Sequence, residues 1–162
     1  MKMFRSYSSE ETKILGAEIA KKISKRKEGA LVIALRGDLG AGKTTFVQGF
    51  FRGLGIKRNP ISPTFVIMRR YKIFTRRFAD IYHFDAYRLK KAEDIAVLEF
   101  EKILSNPKNI VLIEWPEKIE EALPRGTMRL DFIHGKKENE RVIKIKPGSR
   151  LEPVLSAGEG SE

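Results

Sequence analysis

Apolar residues Leu15, Ile19 and Ile23 recur at helical spacing behind Ser8-Ser9-Glu10-Glu11, where Ser8 and Glu11 stand three apart as in a capping box. The pattern predicts a helix over about residues 9 to 26. Ala30 to Arg36 (ALVIALR), an unbroken apolar run between Gly29 and Gly37, predicts a buried strand. After a loop from Gly37 to Gly42, the residues Phe46, Val47, Phe50, Phe51 and Leu54 mark one face of a second helix that begins at Lys43 and is ended by Gly53 and Gly55. Pro60 and Pro63 make 57 to 63 a loop, and the stretches 65 to 74 and 78 to 87 predict an antiparallel hairpin around Thr75-Arg76-Arg77.

A charged helix from about 91 to 104 is expected next, then the strand Ile110 to Ile113 leading into Glu114-Trp115-Pro116, and a short helix ending before Pro124. Strands near 127 to 134 and 140 to 146, joined through Gly135, complete the pattern. From Pro147 onward Gly, Ser and Glu dominate, so 1–146 is expected to be one folded domain and 147–162 a solvated tail. No internal repeat interrupts this order. At 162 residues a single domain buries roughly 70% of its unfolded surface, so no disulfide or metal staple is required.

The 32 Lys and Arg against 21 Asp and Glu leave a net charge of +11, which implies attraction to nucleic acid, acidic proteins or anionic small molecules. With no cysteine, disulfides, thiolate catalysis and cysteine-ligated metals are excluded, and two histidines are too few for a typical histidine zinc site. No apolar run approaches membrane-spanning length, and polar residues from Ser6 to Glu11 come before any signal-like apolar stretch, so a cytoplasmic protein with no membrane partner is expected.

Gly37-Asp38-Leu39-Gly40-Ala41-Gly42-Lys43-Thr44 satisfies G-x-x-x-x-G-K-[ST] between a predicted strand and a predicted helix. Glycines let the backbone wrap a phosphate, the helix N-terminus adds partial positive charge, Lys43 reaches the β and γ phosphates, and Thr44 offers a hydroxyl to Mg²⁺. The rival reading is a glycine-rich turn with an incidental lysine. An acidic residue ending a neighbouring apolar strand commonly completes such a site, which makes Glu114 the second magnesium candidate. If 78 to 87 is a strand, His83, Asp85 and Tyr87 share one face, and Asp85 is placed to orient an attacking water or a magnesium-bound water beside His83.

Behind GDLGAGKTTF come three further segments: Ser62-Pro63-Thr64-Phe65, the run His83-Phe84-Asp85-Ala86-Tyr87-Arg88-Leu89, and Glu114-Trp115-Pro116-Glu117. In this order, over roughly 9 to 132, the chain resembles the TsaE (YjeE) family of tRNA threonylcarbamoyladenosine biosynthesis. The resemblance implies a P-loop NTPase fold with a mixed parallel and antiparallel sheet flanked by helices. It also implies slow ATP hydrolysis with Mg²⁺, and action with the TsaD and TsaB transferase complex on the adenosine beside the anticodon. It makes Gly37, Asp38, Leu39, Gly40, Ala41, Gly42, Lys43, Thr44 and Thr45 the ATP phosphate site, with Thr44 and Glu114 on magnesium. Lys43, Asp85 and Glu114 become the catalytic group, and Thr64 falls in a γ-phosphate-sensing segment. Ser9 matches a weaker family pattern near the adenine end, where a capping role is an equal reading. One departure is visible: a Leu-Gly pair is frequent in the family where Leu98 is here followed by Glu99-Phe100.

Residues 69 to 91 hold eight basic residues against Asp80 and Asp85. This hairpin is either a solvated face or a platform for tRNA or a partner, with Tyr71 and Tyr82 available for stacking. Trp115 reads more readily as packing or a partner contact than as a base-stacking residue. Two rivals to the ATPase reading stand at this level: a small-molecule P-loop kinase, and a basic RNA-binding module with a nucleotide switch. No N-K-x-D guanine-reading motif occurs.

Overall fold

Leu31–Arg36 (β2) is apolar up to its last residue and Asn109–Glu114 (β5) is apolar between its two polar ends, and both faces of each are buried, as parallel strands in the middle of a sheet must be. The computed structural model, which describes residues 1–23 and 27–148, builds around them a seven-stranded sheet in the order β1-β7-β6-β2-β5-β4-β3. The other strands are Lys2–Ser6 (β1), Met68–Lys72 (β3), Asp80–Asp85 (β4), Met128–His134 (β6) and Arg141–Lys146 (β7). β6, β2, β5 and β4 run parallel, while β3 at one edge and β7 and β1 at the other are antiparallel. The expected mixed sheet flanked by helices is therefore present.

Helices Ser9–Lys22 (α1) and Lys43–Gly53 (α2) cover one face of the sheet. Ser8 caps α1 by accepting from the Glu11 N–H at 3.1 Å, and the Glu11 carboxylate reaches back to the Tyr7 N–H at 2.8 Å, one residue earlier than a capping box requires. The apolar face of α2 buries Phe46, Val47, Phe50 and Phe51 against the sheet and α1, about 1.5 to 3 kcal/mol of transfer free energy each. The two helices cross with almost no space between their backbones. A Cβ on Gly49 would stand 1.9 Å from Lys13 O, and one on Gly16 2.3 Å from Phe46 O.

On the opposite face, Val32, Phe84, Val111 and Ile113 are covered by the segment 89 to 105 and by Ile119. Here the expected charged helix over 91 to 104 is broken in two: a 3₁₀ helix Ala92–Leu98, then α3, Phe100–Ser105. Glu99 between them has φ 54°, the left-handed region that glycine fills without strain, and it stands where the family pattern often has its glycine. The short helix expected before Pro124 is two 3₁₀ turns, Pro116–Lys118 and Glu120–Ala122.

Three other expectations shift. β1 was not predicted, since five residues with only Met3 and Phe4 apolar carry little periodicity; its partner β7 defines it. α1 ends at Lys22, with Ile23 extended at its cap, and residues 24–26 of the predicted helix lie outside the described residues, as do 149–162 of the predicted tail. The hairpin strands are shorter than predicted, because Phe65 to Ile67 form a turn in which Val66 and Ile67 N–H groups both donate to Pro63 O.

Two stability measurements test this packing. Gly49→Ala forces backbone apart from backbone and is expected to cost about 2 to 4 kcal/mol in chemical denaturation. Glu99→Gly relieves a left-handed residue and is expected to raise Tm by about 2 to 4 °C. A neutral Gly49→Ala, or a lower Tm for Glu99→Gly, would contradict the geometry described.

Candidate active site

The three strands β2, β5 and β4 end level with one another: Leu35 pairs with Glu114, and Glu114 pairs with Asp85. The glycine-rich loop leaves the end of β2, so its residues, Glu114 and Asp85 are assembled at the same edge by strand register alone. A cleft of about 380 Å³ lies there, lined by Leu39 through Thr45 together with Ser62, Thr64, Asp85, Tyr87, Glu114 and Trp115. A cleft of about 400 Å³ on the other sheet face is lined instead by charges such as Arg129 and Glu120, which satisfy each other at 2.5 and 2.9 Å. Size does not distinguish the two; the converging chemistry does.

Gly42 adopts φ 104° at the start of α2, and no side chain caps the helix there. The amides of residues 43 to 45 have no intrahelical acceptors, so the helix start offers N–H groups and the positive end of its dipole to the cleft. Gly37 is required for space, since a Cβ would stand 2.6 Å from Phe132 O. Gly37 and Asp38 face a separate concavity beside Phe132 and His134; what they contribute to the cleft is their carbonyl oxygens, both of which accept from Lys43 Nζ, Asp38 O at 3.0 Å.

Lys43 is almost wholly buried, and its ammonium lies 4.5 Å from the centre of the Trp115 ring. Burial pushes its pKa below the usual lysine value, while Glu114, Asp85, Glu117 and Asp38 push it back up. The nearby carboxylates thus offset part of the cost of burying the lysine cation.

Asp85 is 4% exposed and has both oxygens occupied: Oδ2 accepts from Thr64 Oγ1 at 3.0 Å and Oδ1 from the Tyr87 N–H at 2.9 Å. Thr64 Oγ1 also bonds Ser62 Oγ at 2.8 Å. Glu114 lies beside Asp85 on the neighbouring strand, and its Oε1 meets His83 Nε2 at 2.9 Å. The sequence placed His83 beside Asp85; in the structure it partners Glu114 from across the strand pair. His83 is fully buried, and its Nδ1 has no partner among the described residues.

Ser9 does not reach this cleft. It is the exposed first residue of α1 and lines a separate cavity of about 90 Å³ behind the loop, with Ser8, Thr12, Gly40, Gly42, Thr45, Asn139 and Arg141. Ser8, not Ser9, does the capping. Arg141 was missed by sequence reading: its Nη2 donates to Gly40 O at 3.0 Å and ties the β6–β7 turn to the loop apex. Trp115 is half-buried in left-handed conformation at φ 57°, with Tyr87 packed on it at 5.0 Å between ring centres. Among the hairpin residues, Tyr71 is not available for stacking, because it is buried against Phe51 with its hydroxyl on the backbone of Ile61. One face of Tyr82 is covered by the Arg70 guanidinium.

With this geometry in place, comparison with known proteins bears on the whole assembly. Residues 6–143 match the family model described as threonylcarbamoyl adenosine biosynthesis protein TsaE. The chain is 35% identical to the Bacillus subtilis tRNA threonylcarbamoyladenosine biosynthesis protein TsaE over 150 residues, covering 92% of this chain and 88% of that one. It is 34% identical to the Haemophilus influenzae protein of the same name, covering 86% of each. Its fold superposes on the crystal structure of B. subtilis YdiB with a TM-score of 0.69 at 31% identity, over 96% of this chain and 92% of that one. Among the described residues no helix is long and apolar enough to cross a membrane. The chain belongs to the TsaE family of tRNA threonylcarbamoyladenosine biosynthesis proteins.

Proposed function

We propose that this chain is a magnesium-dependent ATPase of the cytoplasm that works with the TsaD and TsaB transferase complex in forming threonylcarbamoyladenosine on tRNA. The observation that supports it best is the meeting, in one cleft, of an uncapped helix start and a buried lysine with two buried carboxylates on adjacent strand ends. The loop has the P-loop pattern, and its amides from Gly40 to Thr44 with Lys43 receive the triphosphate. To do so Lys43 exchanges the carbonyls of Gly37 and Asp38 for phosphate oxygens, a trade of neutral acceptors for charged ones.

The donor set also fits magnesium. The Glu114 carboxylate and the Thr44 hydroxyl, both lining the cleft, are hard oxygen donors of the kind magnesium takes together with phosphate oxygens. Thr44 and Glu114 would hold it, and it would neutralise charge on the β and γ phosphates. His83 fixes the Glu114 carboxylate in place through the Nε2 bond.

Asp85 orients a water for in-line attack on the γ-phosphate. The water oxygen forms the new bond to phosphorus as the bond to the β-phosphate bridging oxygen breaks, giving ADP and phosphate. Thr64 holds the other side of that carboxylate, so any movement of the 62–67 segment towards the γ-phosphate re-aims Asp85. Ile67 at φ 65°, costly for a β-branched residue, sits in that segment and accepts from the Asp85 N–H at 2.8 Å.

Phosphate release from ATP is expected without any acceptor, and to rise when TsaD and TsaB are added. Asp85→Asn is expected to lower it about 10²- to 10⁴-fold while nucleotide affinity stays within a few-fold, and Lys43→Ala to weaken affinity as well. The fluorescence of Trp115, the chain's one tryptophan, reads binding because its ring lies against Lys43. Wild-type turnover in Asp85→Asn, or release that needs a phosphorylated metabolite as product, would contradict the assignment.

A further inference from the structure

The sheet has a second charged end, opposite the cleft. The strands β2, β4 and β5 also begin level, with Leu31 paired to Ile110 and Asp80 to Asn109. Three segments converge there. Arg77 in the β3–β4 turn donates to Ile23 O at the end of α1 at 2.8 Å, and the Ala79 N–H donates to Lys108 O, before β5, at 2.9 Å. Residues 20–23, 73–79 and 105–108 together carry five basic residues and no acidic one. Lys72 adds an exposed cation beside the turn. Its cross-strand neighbour Asp80 is already engaged by Arg70 through two bonds of 2.8 and 3.1 Å, so it does not offset this charge.

At the tip of the same turn stands Phe74, 100% exposed. Its chain neighbour Ile73 and the nearby Phe78 are both buried, so the ring is not the edge of an apolar patch. A bare aromatic face rimmed by cations is the combination that holds unpaired bases: the ring stacks on a base and the cations contact phosphates. An acidic protein surface would answer the charge but leave the ring unexplained, because aromatic anchors of protein interfaces work inside desolvated apolar surroundings.

We propose that this end of the molecule binds a single-stranded RNA segment, with Phe74 stacked on a base and Lys72, Arg76 and Lys108 on its phosphates. The inference deepens the tRNA-directed reading and rests on it only for RNA rather than another polyanion. It narrows the basic hairpin 69–91 to its tip, since Arg70 is paired with Asp80 and Arg88 lies over Phe65 in the 62–67 segment at the cleft end.

The test is fluorescence anisotropy with a labelled unstructured RNA of about a dozen nucleotides and a blunt RNA duplex of equal charge, across a salt series. The single strand is expected to bind tighter than the duplex. Phe74→Ala is expected to weaken single-strand binding about 5- to 100-fold with the salt slope unchanged. Replacing Lys72, Arg76 and Lys108 together by Ala is expected to flatten the slope by about 2 and cost at least about tenfold. All of these residues are on the surface, and an unaltered Tm and ATP turnover confirm that the variants are folded. Lys43→Ala is expected to bind RNA as the wild type does, so failure of the nucleotide reading and failure of this one are separable. Equal binding of duplex and single strand, wild-type affinity in Phe74→Ala, or displacement of the RNA by polyglutamate that the tip variants abolish would overturn the proposal.

Discussion

The level ending of three parallel strands is the constraint on which the rest depends. β2, β5 and β4 are buried on both faces, so a slip by one residue would exchange the close-packed sets of the two faces and draw polar strand ends such as Asp80, Asn109 and Glu114 out of register. That register puts the start of the glycine-rich loop, Glu114 and Asp85 side by side with no help from loop conformation. It equally brings the strand beginnings together at the other end, where the basic tip forms. The parallel centre therefore separates two charged regions by about 20 Å of strand.

Within the cleft, burial and charge are balanced against each other. Lys43, Asp85 and Glu114 are each about nineteen-twentieths buried, an arrangement that is stable only because the opposite charges are close and nearly every polar atom has a partner. The loop carbonyls and the Trp115 ring hold the lysine in place. Strain collects at the same place: Ile67 and Trp115 are non-glycine residues in the left-handed region, and both flank cleft side chains. The close crossing of α1 and α2 at Gly16 and Gly49 fixes the helix whose first turn lines the cleft, so packing far from the cleft sets its geometry.

What the sequence revealed was mostly local or strongly patterned. Buried strands, the amphipathic α2, the Ser8 cap and the glycine-rich loop each write their signal into adjacent residues. The cleft membership of Lys43, Thr44, Thr64, Asp85 and Glu114 followed from motif order and strand ends. The parts that were not legible depend on contacts between distant segments. β1 is a strand because β7 lies beside it, His83 reaches Glu114 diagonally across the β4–β5 pair, and Arg141 meets Gly40 across 101 positions of chain. Tyr71 looked available because alternation cannot say which face of an edge strand is covered by α2. The break at Glu99 was hidden by a residue that is unusual in left-handed backbone, although the departure from a Leu-Gly pair marked the place.

The proposed nucleotide site and the proposed RNA site thus lie at opposite ends of one sheet, so the two proposals require no shared residue. The most direct measurement is reconstituted threonylcarbamoylation of tRNA by purified TsaD and TsaB, followed over many turnovers with this chain added. The wild-type chain with ATP is expected to sustain repeated modification, and Lys43→Ala, folded to the same Tm, is expected to fail to. Equal support of modification by Lys43→Ala would contradict the proposed function.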